Sequence, residues 1–227
     1  MDNLPTAPRE KFAANIAAIQ KLKEIEQRVA NGGSPAFEDE QKILAQYTGW
    51  GGLSDAFDPN KSAWSNEYSQ LKAALSESEY EAARSSTLTA FYTPATVIHP
   101  IYRALERFGV KGGKILEPSM GTGAFLAHGH FGSSDAKFYG VELDSITGRI
   151  SKQLYQKANI QVTGYENALL PDNYFDCVIG NVPFGNFQVN DPQYNRLHFP
   201  IHDYFFAKSI DKLRTGGILA FITSSGT

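Results

Sequence analysis

The sequence predicts an α/β protein: a mostly parallel sheet preceded by a helical region. Three observations carry this. From Thr87 onward, short β-rich runs alternate with helical periodicity, the pattern of a parallel sheet built from strand–helix units. Before that point apolar residues recur at helical spacing, without a strand pattern. The run Phe175-Asp176-Cys177-Val178-Ile179 then ends abruptly in Asn181, Pro183, Phe184 and Gly185. A buried parallel strand delivers such residues to the carboxyl edge of an open sheet, where ligands bind. With 227 residues, 42% of them hydrophobic, the chain can bury one sizeable core and a small helical annex.

The first helix carries Phe12, Ile16, Ile19, Leu22, Ile25 and Val29, and Asn31-Gly32-Gly33 supplies its C-terminal stop. A shorter helix follows Ser34-Pro35 with Ile43, Leu44 and Tyr47. Thr48-Gly49-Trp50-Gly51-Gly52-Leu53 is a Gly-rich turn, expected to anchor its tryptophan on the core. Trp64, Tyr68, Leu71 and Leu75 resume helical spacing, and Ser76 with Glu79 forms a capping box for another helix. Thr93-Pro94 opens a helix through Ile98, Ile101, Leu105 and Phe108, closed by Gly109. Strands are expected at 114–116, 137–141, 160–163, 175–179 and 218–223. Helices join the second to the third, through Ile146, Ile150 and Leu154, and the fourth to the fifth, from His202 to Leu213, ended by Gly216-Gly217. The expected division is a helical region over 1–85 and a sheet-containing core over 86–227.

No apolar run approaches the ~20 residues that span a bilayer. The first residues, Met1-Asp2-Asn3-Leu4-Pro5, lack the basic and apolar regions of a secretory signal, so a cytoplasmic location is expected. One cysteine, Cys177, excludes an intramolecular disulfide framework and a Cys-rich zinc site. His198 and His202 have no third ligand at metal-binding spacing, so no metal is expected. Residues 1–85 hold 9 Lys/Arg against 13 Asp/Glu, and residues 86–227 hold 12 against 11. Neither part has the basic footprint of an autonomous nucleic-acid binder, so any such contact must come from a local patch or another segment.

The turn Glu117-Pro118-Ser119-Met120-Gly121-Thr122-Gly123-Ala124-Phe125 follows the first strand. Its glycines let backbone approach a ligand, and the following helix offers N–H groups. Leu126 stands where a dinucleotide fingerprint needs a third glycine, and no Gly-Lys-Ser/Thr follows. Glu117 would repel a pyrophosphate, so a cofactor with a cationic end fits better. Glu142, ending the second strand, is placed to accept ribose hydroxyls, and Asp144 to cap the next helix. Glu166, after the third strand, suits either an adenine amino group or a solvated loop.

Taken in order, Phe91-Tyr92-Thr93-Pro94, Glu117–Phe125, Glu142, Glu166 and Asn181-Val182-Pro183-Phe184 resemble the amino-group DNA methyltransferases. The resemblance is to those acting on adenine N6 in the gamma arrangement, and most of all to the methylase regions of phage and mobile-element methylase–helicase fusions. Trp50-Gly51-Gly52 and Ile201-His202-Asp203-Tyr204-Phe205-Phe206 are similar to that group's signatures. The resemblance implies a Rossmann-like sheet and S-adenosylmethionine as cofactor. It implies cofactor contacts from Tyr92, Thr93, Pro94, Glu117, Pro118, Ser119, Gly121, Gly123, Glu142 and Glu166. It implies catalysis by Asn181, Val182, Pro183 and Phe184 on an adenine extruded from DNA, with direct methyl transfer. Family members have a proline where Val182 stands; valine keeps the carbonyl but not the locked φ.

The long polar loop between Gly185 and Ile201 suits a substrate contact, with Gln188, Tyr194, Asn195 and Arg196 as candidate DNA ligands. Cytosine C5 methylation needs a nucleophilic cysteine, and Cys177 lies inside a hydrophobic run. Two alternatives stay open: a non-catalytic module that binds cofactor or DNA, and a protein glutamine methyltransferase. The sequence ends near the fifth strand; the resemblance implies further C-terminal strands, expected to be missing here, and helicase or target-recognition domains in a longer parent chain.

Overall fold

A computed structural model describes residues 4–87, 93–129 and 135–223. Its helical first part comprises α1 (Pro8–Ala30), α2 (Glu38–Leu44), α3 (Ser65–Ala74) and α4 (Glu77–Ser86). Then follow α5 (Ala95–Arg107), β1 (Lys114–Glu117), α6 (Ala124–His128), β2 (Lys137–Glu142), α7 (Ser145–Leu154) and β3 (Asn159–Val162). The chain continues through β4 (Phe175–Asn181), α8 (Ile201–Lys212) and β5 (Leu213–Ile222). Among the described residues no helix is long and apolar enough to cross a membrane.

Contacts divide the chain into two units. One holds residues up to Tyr92 together with Asp144–Gln156; the other holds Thr93–Leu143 and Lys157–Thr227. In the first unit, Phe12, Ile16, Ile19, Leu22 and Ile25 form the buried stripe of α1, while Val29 is exposed. Trp50 is the centre of an aromatic cluster, edge-on to Phe12, Tyr47 and Phe57 at 6.1, 6.4 and 5.3 Å. Such pairs contribute about 0.5–1.5 kcal/mol each beyond area burial. The turn itself is fixed by buried Asn15, which donates to the Gly49 carbonyl at 2.6 Å and accepts from the Thr48 N–H at 2.8 Å. Ser76 and Glu79 exchange both capping-box hydrogen bonds, starting α4. Helix α7, although encoded between two strands, contributes Ile146 and Ile150 to this same core. Arg149 of α7 is paired with Glu26 of α1 and Glu79 of α4.

The second unit is a five-stranded sheet of order β3-β2-β1-β4-β5 in which every neighbouring pair is parallel. The period of two sorts its side chains. Ile115, Cys177 and Ile179 pack with Ile98, Tyr102 and Leu105 of α5 and Phe125 of α6, whereas Leu116 and Val178 pack with Tyr165 and with Tyr204 and Phe205 of α8. From β1 the chain builds outward through β2 and β3, then returns to place β4 on the other side. The point where strand order reverses therefore lies between β1 and β4, the position at which open α/β sheets bind ligands.

One strand differs from expectation. β5 begins at Leu213 rather than at 218, and its register against β4 shifts between Phe175↔Leu213 and Cys177↔Ile218. The glycines expected to stop the preceding helix make this irregularity instead. Gly216 has φ 79°, and a Cβ on Gly217 would stand 3.0 Å from the Phe175 carbonyl. Arg214 within the irregular stretch is paired with Asp176 of β4 at 2.5 Å.

Candidate active site

The sheet brings four acidic or amide residues to its carboxyl edge. Glu117 ends β1, Glu142 ends β2, Asn181 ends β4, and Glu166 lies in the turn that follows β3. The local causes are specific. After β1, Met120 donates its N–H to the Val141 carbonyl at 3.0 Å and swings its side chain over Gly140, where any Cβ would collide with the sulfur. Gly121 and Gly123 take φ of 54° and 78°, values that L side chains resist. The Gly121 N–H donates to a Glu142 carboxylate oxygen at 2.8 Å. The Gly-rich turn and the second strand end are thus held together. The helix behind the turn, α6, has only five residues, so the turn itself rather than a helix terminus shapes this edge.

Glu117 is 2% exposed, and its Oε2 has no hydrogen-bond partner. Burial, and then the negative charge of Glu142, push its pKa well above the ordinary carboxylate value. Asn181 shows the same deficit: its Oδ1 is buried without a partner. Buried polar atoms are nearly always satisfied, so each exception calls for an explanation, a catalytic role among them. Of the three such atoms among the described residues, Trp50 Nε1 lies in the helical core, and the other two end neighbouring strands at the reversal point.

Val182 is buried among the apolar side chains packed under α8, Pro183 is half-buried, and Phe184 is 43% exposed. An exposed ring thus lies three residues after Asn181, a half-buried residue whose Oδ1 is buried. Thr93 is half-buried and Pro94 exposed at the N-cap of α5; Pro118 is buried and Ser119 half-buried. Glu166 is half-buried, accepting from Asn167 Nδ2 at 2.8 Å. Tyr92, also expected at the cofactor, lies outside the described residues. Cys177 is fully buried, and burial, with a smaller contribution from Asp176, pushes its thiol up to about 12. It has no access to a substrate and no thiolate near neutrality.

The loop after Gly185 is pinned rather than open. Its expected DNA ligands separate into two kinds. Tyr194 is 6% exposed and donates to Asp211 of α8 at 2.5 Å, so it is a core anchor and its placement corrects the expected base contact. Asn195 is exposed, yet its side chain accepts from the Asp191 N–H at 2.9 Å and donates to Asn190 at 2.8 Å, bracing the loop. Gln188 is exposed and donates to the His198 carbonyl at 3.3 Å; Arg196 is exposed. Sequence reasoning missed the role of Asp191, buried against Tyr204 and Lys208. The available signal was the spacing of four between Tyr204 and Lys208, which puts both on one helical face.

Residues 71–227 match the model of the Eco57I restriction-modification methylase family, more than half of the chain. The chain belongs to that family. Among curated relatives of this methylase domain, Defense against restriction protein B of Escherichia phage P1 is 28% identical over 219 residues, 94% of this chain but 8% of the relative. Modification methylase CviBIII of Paramecium bursaria Chlorella virus NC1A is 31% identical over 140 residues, 60% of this chain and 37% of the relative. The chain therefore spans well under half the length of both. In fold, the methylase domain is similar to a Listeria monocytogenes protein described as a class I S-adenosylmethionine-dependent methyltransferase. The TM-score is 0.53 at 18% identity, covering 94% of this chain and 74% of that one.

The cofactor supported by family and fold is S-adenosylmethionine, and the edge residues fit its chemistry. A buried carboxyl oxygen without a donor, on Glu117, suits a cationic amino group. Backbone at positive φ in the Gly121–Gly123 turn permits close approach, and Glu142 offers carboxylate oxygens at the second strand end where ribose hydroxyls are held in this fold type.

Proposed function

We propose that this domain methylates the N6 amino group of adenine in DNA. The observation that carries the reading is the unpartnered, buried Oδ1 of Asn181 at the strand-reversal point, followed by an exposed Phe184. S-adenosylmethionine, when bound, supplies an electrophilic methyl group. Glu117, Pro118, Ser119, Gly121 and Gly123 would hold its amino-acid end, with Thr93 and Pro94 assisting; Glu142 would hold its ribose and Glu166 its adenine.

The chain's own residues act on the acceptor. Adenine N6 is a poor nucleophile because its lone pair is delocalised into the ring. Asn181 Oδ1 and the Val182 carbonyl accept the two N6 hydrogens and favour a tetrahedral nitrogen. Their stabilisation grows as positive charge develops there, so it acts on the transition state more than on the ground state. Phe184 stacks on the extruded base, which must leave the duplex to reach a strand end. No covalent enzyme intermediate is required. DNA is the proposed partner, with helicase or target-recognition domains in a longer parent protein.

The test is nucleoside analysis of duplex DNA of mixed sequence after incubation with S-adenosylmethionine and the protein. N6-methyldeoxyadenosine is the expected product. Methylation found instead on a protein glutamine, or cofactor binding with no transfer by the longer parent protein either, would replace this reading with one of its alternatives.

A further inference from the structure

Behind the edge residues lies a buried ion pair that the chemistry above does not use. Lys208 of α8 and Asp191 of the post-Gly185 loop are each 5% exposed, and Lys208 Nζ donates to Asp191 Oδ2 at 2.8 Å. The same Asp191 oxygen accepts from the Tyr204 hydroxyl at 2.8 Å, and its other oxygen accepts from the Gln193 N–H at 3.1 Å. Burial alone would raise the Asp191 carboxyl; Lys208 and Tyr204 hold it below its ordinary value, so it stays charged. Lys208 also reaches the other way. Its Nζ donates to the backbone carbonyl of Glu166 at 3.3 Å.

A buried ion pair seldom stabilises more than apolar packing of the same volume, because desolvating both charges offsets their attraction. In some proteins such a pair instead fixes a geometry, and here it joins two segments from opposite sides of the site. One is the loop 186–200, the continuation of Asn181–Phe184. The other is the turn Gly164–Asn167, which carries Glu166. Tyr194 and Tyr204 add a second tie between loop and helix, their rings edge-on at 5.5 Å.

We propose that Lys208 is a positioning residue: with Asp191 it fixes the base-side loop and the cofactor-side turn on one helix, so that both halves of the site share a single geometry. The assignment of the two sides rests on the functional reading given above.

The experiment compares the full chain with Asp191→Ala and Lys208→Met by hydrogen–deuterium exchange, calorimetric binding of S-adenosylmethionine, and methyl transfer to duplex DNA. Asp191→Ala is expected to speed exchange in 186–200 alone and to raise the KM for DNA about tenfold or more, with cofactor affinity kept within about twofold. Lys208→Met is expected to speed exchange in both segments and to weaken both ligands. The double variant buries no lone charge and serves if a single variant does not fold; it is expected to match Lys208→Met. Equal effects of the two single variants on both segments, or a double variant protected like the wild type, would overturn the proposal. If the wild type binds no cofactor and methylates nothing, the functional reading fails, while the exchange pattern still decides whether Lys208 joins the two segments.

Discussion

Glu117 and Asn181 end adjacent parallel strands on either side of the strand-order reversal, and each buries a side-chain oxygen with no hydrogen-bond partner. Each unmet acceptor costs stability. Two of them at the one edge position where open sheets take ligands mark a site built for a donor on each side. On the proposed reading, a cationic group answers Glu117 and an amino group answers Asn181.

Glu117 links this site to pH. Burial, then the charge of Glu142, raise its folded pKa well above 4.5. A carboxyl with a raised folded pKa binds more protons folded than unfolded. Its contribution therefore favours the native state below the unfolded pKa and is lost as pH rises through the folded pKa. Glu117→Gln removes that titration. The variant should melt above the wild type at about pH 8 and lose the advantage at about pH 4, as calorimetric scans across pH would show. The same variant should bind S-adenosylmethionine more weakly, because an amide offers no charge to an ammonium.

Phe184 separates function from stability. At 43% exposure its ring contributes little to the core, so Phe184→Ala should change denaturant stability by less than about 0.5 kcal/mol. Loss of a stacking platform costs about 1–3 kcal/mol per base, which should appear as a higher KM for DNA with unchanged cofactor affinity. Titrations with each ligand check the two expectations.

Ile150 tests the assignment of α7 to the helical unit. It is fully buried in the same cluster as Leu22, Ile25 and Leu44. Ile150→Ala should cost about 2–5 kcal/mol in urea unfolding, whereas Val29→Ala, on the exposed side of α1, should cost less than about 0.5.

What could be read from sequence was local. The strand ends at Glu117, Glu142 and Asn181 follow from apolar runs broken by polar residues, and the Ser76–Glu79 cap from a spacing of three. Trp50 was expected on the core, and its four-aromatic cluster lies there. Long-range partnership was not legible. Ile146 and Ile150 show a buried helical stripe but do not say which core buries it. Tyr194 sits among amides and an arginine and reads as a surface residue, until Asp211, 17 positions away, accepts its hydroxyl. Lys208 looks like an ordinary helix lysine because its partners come from two other segments. Gly216-Gly217 carries the same letters whether it stops a helix or bends an edge strand.

The most direct measurement is the mass-spectrometric yield of methylated nucleosides from duplex DNA treated with S-adenosylmethionine and either the wild type or Asn181→Ala. N6-methyldeoxyadenosine should form with the wild type and fall by about 10²–10³-fold in the variant, the usual loss when one group aimed at developing charge is removed. An Asn181→Ala protein that methylates adenine at the wild-type rate would contradict the role given to Asn181.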